Sequence, residues 1–412
     1  MLKIKYLILV LFLIGIPIVN AQPVDSVPTT GTLPSELKPF DKAVRSILAY
    51  IGAPGAAFAV ARNGRLVLSR GYGYADSSAG KLVQPTSLFR IASVSKPITA
   101  ATVLKLVDEG RLSLDDHMLD LLALQPPVGM SLDPRMREIT VQDLLYHAGG
   151  WDREASGFDP MFAAARIPVA MDERPPASAE TIIRFMLGQP LDFDPGTRQA
   201  YSNLGYAVLG RVIEAVTGER YEDYVHQAVL EPSGAVQIRM GRSLLEHQAE
   251  GEVHYHDPRR VLTVFPGTGV VPAPYGAFAI EAMDAHGGWV ASAPDLLRFL
   301  TAVDLSPSRP DLLPSEILRT MSSPHETAKP DSTYYAMGWE LKPTESGAVW
   351  YHRGDLPGTT ALLTCAGRTQ FALLLNGNAG SRENAERMLP TLLRAAEAIE
   401  SWPKLDLFSQ LK

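Results

Sequence analysis

Strand-forming segments stand at both ends of this 412-residue chain, and helical patterns fill its middle. Near the N-terminus, two apolar segments are joined by Asn63-Gly64, a dipeptide typical of a tight β-hairpin. Toward the C-terminus, four apolar segments follow one another through short turns: YYAMGWEL, AVWYHRG, TTALLTCAG and TQFALLLNG. No strand–helix–strand alternation appears, which argues against a parallel, doubly wound sheet. We therefore predict an α+β fold with one antiparallel sheet assembled from both ends of the chain.

Amphipathic helical patterns at 36–51 and 382–400 are placed to cover this sheet. The central region carries shorter helical patterns, among them ITVQDLLYHAGG, TIIRFMLGQ and NLGYAVLGRVIEAVTG, separated by loops rich in proline and glycine. We predict a sheet domain made of residues 36–92 and 286–400, with a helical insertion domain over 93–285 that starts with the helix near residue 93. A cleft between the two is the expected ligand site.

The first 21 residues have the pattern of a secretory signal peptide. Two lysines precede an apolar run over residues 6–19, and small residues lead up to Ala21. We expect cleavage after Ala21, a periplasmic or secreted protein, and no stable membrane span once the leader is removed. The alternative is a leader that stays uncleaved as a membrane anchor. Residues 22–35 are rich in proline, threonine, serine and glycine and are predicted to be a disordered lead-in.

Charge and cysteine content restrict the function classes. The formal net charge is −7 and no basic cluster appears, which argues against nucleic acid as a partner. The single cysteine, Cys365, permits no internal disulfide, and a chain of this length buries enough core to be stable without one. We expect a small-molecule substrate and neither a metal nor a cofactor.

The segment FRIASVSKPITAATVLKLVDEGRL places a serine and a lysine at the start of an almost entirely apolar helix. Ser93 and Lys96 are three residues apart and share one helical face, whereas Ser95 points elsewhere. Pro97 marks the helix start, because proline is tolerated only in the first turn. Burial and the positive end of the helix dipole both favour a neutral Lys96, which can activate a serine hydroxyl. Alternatively, Ser93 only caps the helix and Lys96 reaches to water.

Two further stretches carry suitable chemistry. FDPGTRQAYSNLGYAVLG holds Tyr201 and Asn203 just before a helix. A tyrosine can relay protons if a nearby cation lowers its pKa, and Asn203 can donate to a substrate carbonyl or face the lysine. The alternative is that Tyr201 is a half-buried surface residue and that Ser202 or Asn203 is simply a helix cap.

VWYHRGDLPGTTALL reads as a strand over 349–354, which puts His352 and Gly354 on one face and Arg353 on the other. A glycine there lets another backbone approach, so a peptide-like substrate could add as an extra strand. Backbone N–H groups near Asp355 could complete an oxyanion hole with that of the serine. The alternative is a solvated edge strand that ends in a turn.

These motifs, in this order, resemble the serine β-lactamase and penicillin-recognising enzyme superfamily. They are most similar to the branch that holds class C β-lactamases, DD-carboxypeptidases, D-aminopeptidases and family VIII carboxylesterases. VQDLLYHAGGW and HGGWVASAPDLLRF resemble two further segments of that branch, and the likeness extends over about residues 40–395. The resemblance implies a β-lactamase/DD-peptidase-like fold and an exported serine hydrolase that works through an acyl-enzyme.

The resemblance also implies roles for single residues. Ser93 would be the acylated nucleophile, Lys96 the base, alone or with Tyr201, and Tyr201 the proton relay to the leaving group. Asn203 and the strand 352–354 would orient the substrate.

The third motif departs from the family pattern, because this chain has His352-Arg353-Gly354 where β-lactamases commonly have K-T-G. Histidine is a weaker cation than lysine near neutral pH and is less suited to hold a substrate carboxylate. The departure therefore favours small esters, amides or short peptides over β-lactams. The alternative is a β-lactamase, DD-carboxypeptidase or penicillin-binding protein that acylates with slow release.

Two other classes of hydrolase fit the sequence less well. An α/β-hydrolase would need a G-x-S-x-G nucleophile elbow, which is absent. VHYHDP contains His254, His256 and Asp257, but Pro258 stands where the zinc hydrolase pattern has a further histidine. A plain loop or hairpin explains that stretch equally well.

Overall fold

A computed structural model describes residues 26–267, 269–329, 332–345 and 347–411. The predicted leader lies outside the described residues. In chain order, the strands are β1 Thr29–Thr30, β2 Gly55–Arg62, β3 Arg65–Asp76, β4 Lys81–Leu82, β5 Phe89–Arg90, β6 Arg239–Met240, β7 Arg260–Leu262, β8 Val270–Pro272, β9 Trp289–Ala291, β10 Tyr334–Tyr335, β11 Glu340–Thr344, β12 Gly347–Leu356, β13 Thr359–Ala366 and β14 Thr369–Leu375.

The main sheet is antiparallel and joins both ends of the chain, as predicted. Its strand order is β1-β3-β2-β14-β13-β12-β11-β10, and β4 pairs with β3 outside this path. The β2–β14 pairing runs from Ala56 opposite Leu375 to Arg62 opposite Thr369 and so closes the N-terminal hairpin onto the C-terminal meander. The hairpin turn has φ of +49° at Asn63 and +70° at the following glycine, because a two-residue turn of this hand needs left-handed backbone at both positions.

The α-helices cover the sheet and fill the central region. They are α1 Lys38–Ile51, α2 Ser95–Asp108, α3 Met118–Leu121, α4 Val141–Leu145, α5 Arg153–Ser156, α6 Arg166–Ala170, α7 Ala179–Leu187, α8 Asn203–Thr217, α9 Tyr221–Val225, α10 Glu231–Ser233, α11 Asp284–Gly287, α12 Ala293–Leu300, α13 Ser315–Ser322 and α14 Arg382–Glu397. A short π-helical segment, His226–Leu230, joins α9 to α10. No helix in the described part of the chain is both long and apolar enough to span a bilayer.

The sheet lies between two hydrophobic cores. On one face, α1 and α14 pack together over the aromatic rings of Phe40, Phe58 and Phe371. On the other face, α12 packs on β2 and β14 and its core continues into the central helices. This arrangement confirms the predicted α+β fold with an antiparallel sheet covered by terminal helices. The boundaries proposed between the sheet domain and the helical domain stay predictions.

Two local predictions differ from the structure. The lead-in predicted to be disordered over 22–35 is ordered from residue 26, because β1 pairs with the outer edge of β3 and Arg70 donates to Thr29 and to the Gly31 carbonyl. The strand predicted over YYAMGWEL is broken into β10 and β11. Gly338, with φ of +86°, makes the break and packs against the first turn of α2.

Candidate active site

The serine of the S-x-x-K motif lies in a tight turn between β5 and α2. The turn, Ala92–Val94, is a single 3₁₀ turn that leads directly into α2. Ala92 has a φ of +48°, a strained conformation for a residue with a side chain and one that occurs preferentially at functional sites. Ser95 is fully buried, and its hydroxyl accepts a hydrogen bond from the Trp289 backbone N–H at 3.4 Å. Of the two serines, Ser93 is therefore the one that faces the lysine.

The amine of Lys96 is fully buried and has three polar partners. Its Nζ lies 3.2 Å from the Ser93 hydroxyl, 2.9 Å from Asn203 Oδ1 and 3.1 Å from the His286 carbonyl oxygen. Burial, and then the positive charge of Arg153, hold the pKa of Lys96 well below its usual value. A neutral amine has two N–H groups, which the two carbonyl oxygens accept, so its lone pair is left for the serine hydroxyl. This is the geometry of a general base.

Tyr201 joins the serine and the lysine from the loop before α8. Its phenol is hydrogen-bonded to the Ser93 hydroxyl, and the Lys96 amine lies 4.7 Å from the centre of its ring. Burial raises the pKa of Tyr201, and this effect exceeds the opposing effect of that hydrogen bond. The condition of a cation-lowered pKa is therefore not met. The raised pKa favours a protonated phenol at neutral pH.

Asn203, the first residue of α8, lies between the lysine and an acidic residue. Its Oδ1 accepts from Lys96, and its Nδ2 donates to Asp159 Oδ2 at 2.7 Å. The same carboxylate oxygen is 3.2 Å from Arg153, whose guanidinium lies 4.9 Å from the centre of the Tyr201 ring. Ser202, not Asn203, is the cap of α8, since its hydroxyl accepts from the Gly205 N–H.

His352 is buried, and its surroundings favour the neutral ring over a cation for a substrate carboxylate. Its Nδ1 lies 2.7 Å from the Arg353 carbonyl oxygen, to which it must donate, so Nε2 accepts from the Tyr335 hydroxyl at 3.0 Å. Burial, and then the charge of Lys96, lower the pKa of His352 to about 3. Arg353 is on the opposite strand face, as predicted, and pairs with Glu340 at 3.6 Å.

In the described part of the chain, one edge of β12 has no strand partner beside the serine. β11 ends opposite Tyr351, whereas β13 pairs with β12 as far as Leu356. The remaining edge, residues 352–356, faces the turn that carries Ser93, and Gly354 packs directly against Ile91. An edge of this kind can hydrogen-bond an extended substrate.

The structure brings the predicted site residues together around one cleft of about 600 Å³. Its lining includes Ser93, Tyr201, Asn203, His352, Gly354 and Asp355. Lys96 lies beneath the serine, inside the protein. The Asp355 side chain is exposed and accepts from Thr360 and Asn378, so its carboxylate is held at the rim of the cleft.

Sequence reasoning missed several side chains of the site. His147 packs between the rings of Tyr201 and Tyr335, with both centroids at 4.3 Å, and burial holds its pKa well below the usual value. VQDLLYHAGGW contained this residue, but the motif alone assigned it no contact. Nothing in the sequence pointed to Arg153, which begins the one-turn helix α5, or to Asp159, which lies in the irregular segment after that helix.

The zinc alternative has little support in the described part of the chain. His254 pairs with Asp76 at 3.2 Å, and Asp257 forms an ion pair with Arg259. Among the described residues, no group of three or more histidine, cysteine or acidic side chains is arranged to hold a metal ion.

Comparison with known proteins identifies the family. A sequence model described as Beta-lactamase matches residues 40–394. Protein flp of Staphylococcus aureus (strain N315) is 24% identical over 344 residues, which cover 83% of this chain and 63% of flp. Esterase EstB of Burkholderia gladioli is 33% identical over 269 residues, 61% of this chain and 66% of EstB. The octameric penicillin-binding protein homologue from Pyrococcus abyssi superposes with a TM-score of 0.65 at 25% identity, over 87% of this chain and 77% of that one.

The fold and the Ser–Lys–Tyr arrangement are those of a serine hydrolase. With a match over residues 40–394, the chain belongs to the beta-lactamase family. The matched region spans only 63% of the length of flp, so this chain corresponds to part of that protein.

Proposed function

We propose that this protein hydrolyses small, uncharged acyl esters or amides through an acyl-enzyme on Ser93. The observation that carries the proposal is the buried Lys96 amine, whose Nζ lies 3.2 Å from the Ser93 hydroxyl and within hydrogen-bonding distance of two carbonyl oxygens. In the neutral amine, the two N–H groups bond to those oxygens and the lone pair is left for the serine. The 33% identity to a relative named as an esterase supports an ester substrate.

In the acylation step, Lys96 removes the Ser93 proton while Oγ bonds to the substrate carbonyl carbon. Backbone N–H groups at Ser93 and on the free edge of β12 stabilise the oxyanion. The bond to the leaving group then breaks, and the protonated Tyr201 gives its proton to the departing oxygen or nitrogen. Lys96 returns the serine proton to Tyr201, so no net proton remains on the site.

In the second step, a water molecule attacks the acyl carbon. Its proton passes to Lys96, the acyl–Oγ bond breaks, and Lys96 gives that proton to the Ser93 oxygen as the carboxylic acid leaves. The alternative is a penicillin-recognising protein that acylates with slow release. The neutral, buried His352 disfavours that alternative, because it supplies no charge for the carboxylate of a β-lactam.

A labelling experiment and a hydrolysis panel test the proposal. A serine-directed phosphonate should form an adduct on Ser93, and Ser93→Ala should abolish both labelling and turnover. Ser95→Ala is the matched control and should keep a substantial part of both, because Ser95 faces Trp289. The panel should contain short acyl esters, D-amino-acid amides, a D-Ala-D-Ala peptide and a chromogenic cephalosporin. A single burst without steady release on every substrate would favour the penicillin-recognising alternative.

We also propose that the protein is exported, since the first 21 residues match a secretory leader. N-terminal sequencing of the protein from its native host should find Gln22 as the first residue. An intact Met1 on membrane-bound material would contradict export with cleavage and favour the uncleaved anchor.

A further inference from the structure

The carboxylate of Asp159 holds the end of the Asn203 amide that does not face Lys96. Its Oδ2 accepts from Asn203 Nδ2 at 2.7 Å and from Arg153 Nη1 at 3.2 Å. Its Oδ1 accepts from the backbone N–H of Met161 at 3.1 Å and so begins the short turn over residues 160–162. Both oxygens of this carboxylate are therefore in use.

We propose that Asp159 is a positioning residue that fixes which end of the Asn203 amide faces Lys96. The inference rests on the proposed roles of Ser93 and Lys96. A carboxylate only accepts hydrogen bonds, so Asn203 must turn its Nδ2 toward Asp159 and its Oδ1 toward the lysine. With Oδ1 toward it, Lys96 donates an N–H and keeps its lone pair for the serine.

The reversed amide would disable the base. Asn203 Nδ2 would then face Lys96 and donate to the same lone pair that removes the Ser93 proton. The two orientations of an asparagine amide have nearly the same shape, so packing alone does not separate them. The Asp159 carboxylate, which can only accept hydrogen bonds, distinguishes the two orientations.

An asparagine at position 159 could not replace the carboxylate. It has one acceptor oxygen, whereas three donors now use the two oxygens of Asp159. If that oxygen stays on the Met161 N–H, the new NH₂ group faces two donors, Arg153 and Asn203. Asn203 relieves this conflict by turning its Oδ1 toward position 159, which is the reversed orientation.

Asp159 also influences the charge on Lys96. The groups that face or surround the amine are Ser93, Tyr201, Tyr206, Asn203, the His286 carbonyl, Arg153, Asp159 and the neutral rings of His147, His286 and His352. Among them, Arg153 lowers the pKa of Lys96 and Asp159 raises it. Loss of the carboxylate removes the effect that raises the pKa of Lys96 and leaves the lowering effect of Arg153. The pKa of Lys96 should then fall, so the acidic limb of the pH–rate profile should move to lower pH.

The test is Asp159→Asn, with Asp152→Asn as the matched control. Asp152 has the same local chemistry: its Oδ1 accepts from the backbone N–H groups of Glu154 and Ala155, and its Oδ2 pairs with Arg198 at 2.8 Å. Its carboxylate does not bond Asn203. The concentration of active sites is measured by titration with the serine-directed phosphonate. For Asp159→Asn, we expect kcat per active site to fall at least tenfold and the acidic limb of the pH profile of kcat/KM to shift to lower pH. Asp152→Asn should stay within about threefold, with an unmoved limb.

Selective [¹⁵N]asparagine labelling gives a readout that does not depend on turnover. The Asn203 side-chain signals, assigned by their loss in Asn203→Asp, should shift strongly in Asp159→Asn and stay in place in Asp152→Asn. Unchanged signals with an unmoved pH limb would overturn the inference, even if the number of active sites falls. Failure of the proposed function looks different: the wild type would form no Ser93 adduct, while the amide signals would still report on Asp159.

Discussion

Gly354 of β12 packs so closely against Ile91 that a methyl group on its Cα would overlap the Ile91 carbonyl oxygen. Ile91 stands two residues before Ser93, so this contact sets the distance between the free strand edge and the nucleophile. A glycine in a strand usually weakens it, and here the close approach gives a reason for its presence. The added carbon would also lie 3.2 Å from the Ala92 side chain, which leaves it no room on that side.

Gly354→Ala should therefore reduce activity more than the addition of a single methyl group would suggest. The clash is with backbone, which cannot move as a flexible side chain can, so the edge and the serine turn must separate. We expect kcat/KM on a neutral ester to fall at least tenfold and unfolding to be easier by about 1–3 kcal/mol, the usual range for overpacking. Steady-state kinetics and urea unfolding measure the two effects.

Gly205→Ala, in the helix that carries Asn203, is the control for this prediction. A methyl group there would meet the Leu144 carbonyl oxygen at 3.5 Å, an ordinary contact. Its kcat/KM should stay within a few-fold of wild type. Wild-type kinetics in Gly354→Ala would mean that the strand edge is not held against the serine turn during catalysis.

Lys96 and Tyr201 should behave as one proton-handling unit. Lys96→Ala and Tyr201→Phe should each lower kcat by several orders of magnitude, and the double variant should be little worse than the more damaging single one, because residues that act together are not additive. Lys96→Arg should also fail despite keeping the positive charge, since a guanidinium stays protonated and cannot act as a base. Simple multiplication of the two single effects in the double variant would argue against a shared proton path.

Substrate charge should decide between esters and β-lactams. The arginines in the described lining of the cleft each have a carboxylate partner: Arg153 with Asp159, Arg353 with Glu340 and Arg382 with Glu386. A substrate carboxylate would have to compete with these pairs, and His352 offers it no charge. We expect kcat/KM for a short neutral acyl ester to exceed that for a chromogenic cephalosporin by at least tenfold. Faster cephalosporin turnover would make β-lactamase the better description.

The sequence was sufficient for the elements with strong local signals. The Asn63-Gly64 hairpin and the helix predicted over 36–51, which the structure has over Lys38–Ile51, follow from turn chemistry and apolar periodicity, each of which depends on a few neighbouring residues. The Ser93–Lys96 contact was also predictable, because the i and i+3 positions lie on one side of the chain both in an α-helix and in the 3₁₀ turn that the structure has at Ser93.

Contacts between segments that are distant in the chain were harder to predict from the sequence. His352 alternates to the predicted strand face, but its neutrality depends on Tyr335 and Lys96, which are distant in the chain. Asp159 reaches Asn203 from an irregular loop, where no periodicity marks side-chain direction. Burial by the whole fold raises the pKa of Tyr201, so a nearby cation does not decide it, and the sequence alone does not show that burial.

The buried neutral state of His352 should make the fold sensitive to acid. Its pKa is about 3 in the folded protein, against about 6.5 in an unfolded chain, so below pH 6.5 the unfolded state binds the proton first. Its contribution to stability is fully present above pH 6.5 and is lost as the pH falls toward 3, by about 1.4 kcal/mol per pH unit. Urea unfolding between pH 8 and pH 5 measures this slope.

His352→Gln should be less stable at pH 8, since it loses the bond to Tyr335. Below pH 6.5, its free energy of unfolding should fall less steeply with pH, by the amount that corresponds to one proton. His247→Gln, at an exposed histidine, should keep the wild-type slope. Equal slopes in His352→Gln and wild type would mean that His352 is not held neutral in the folded protein.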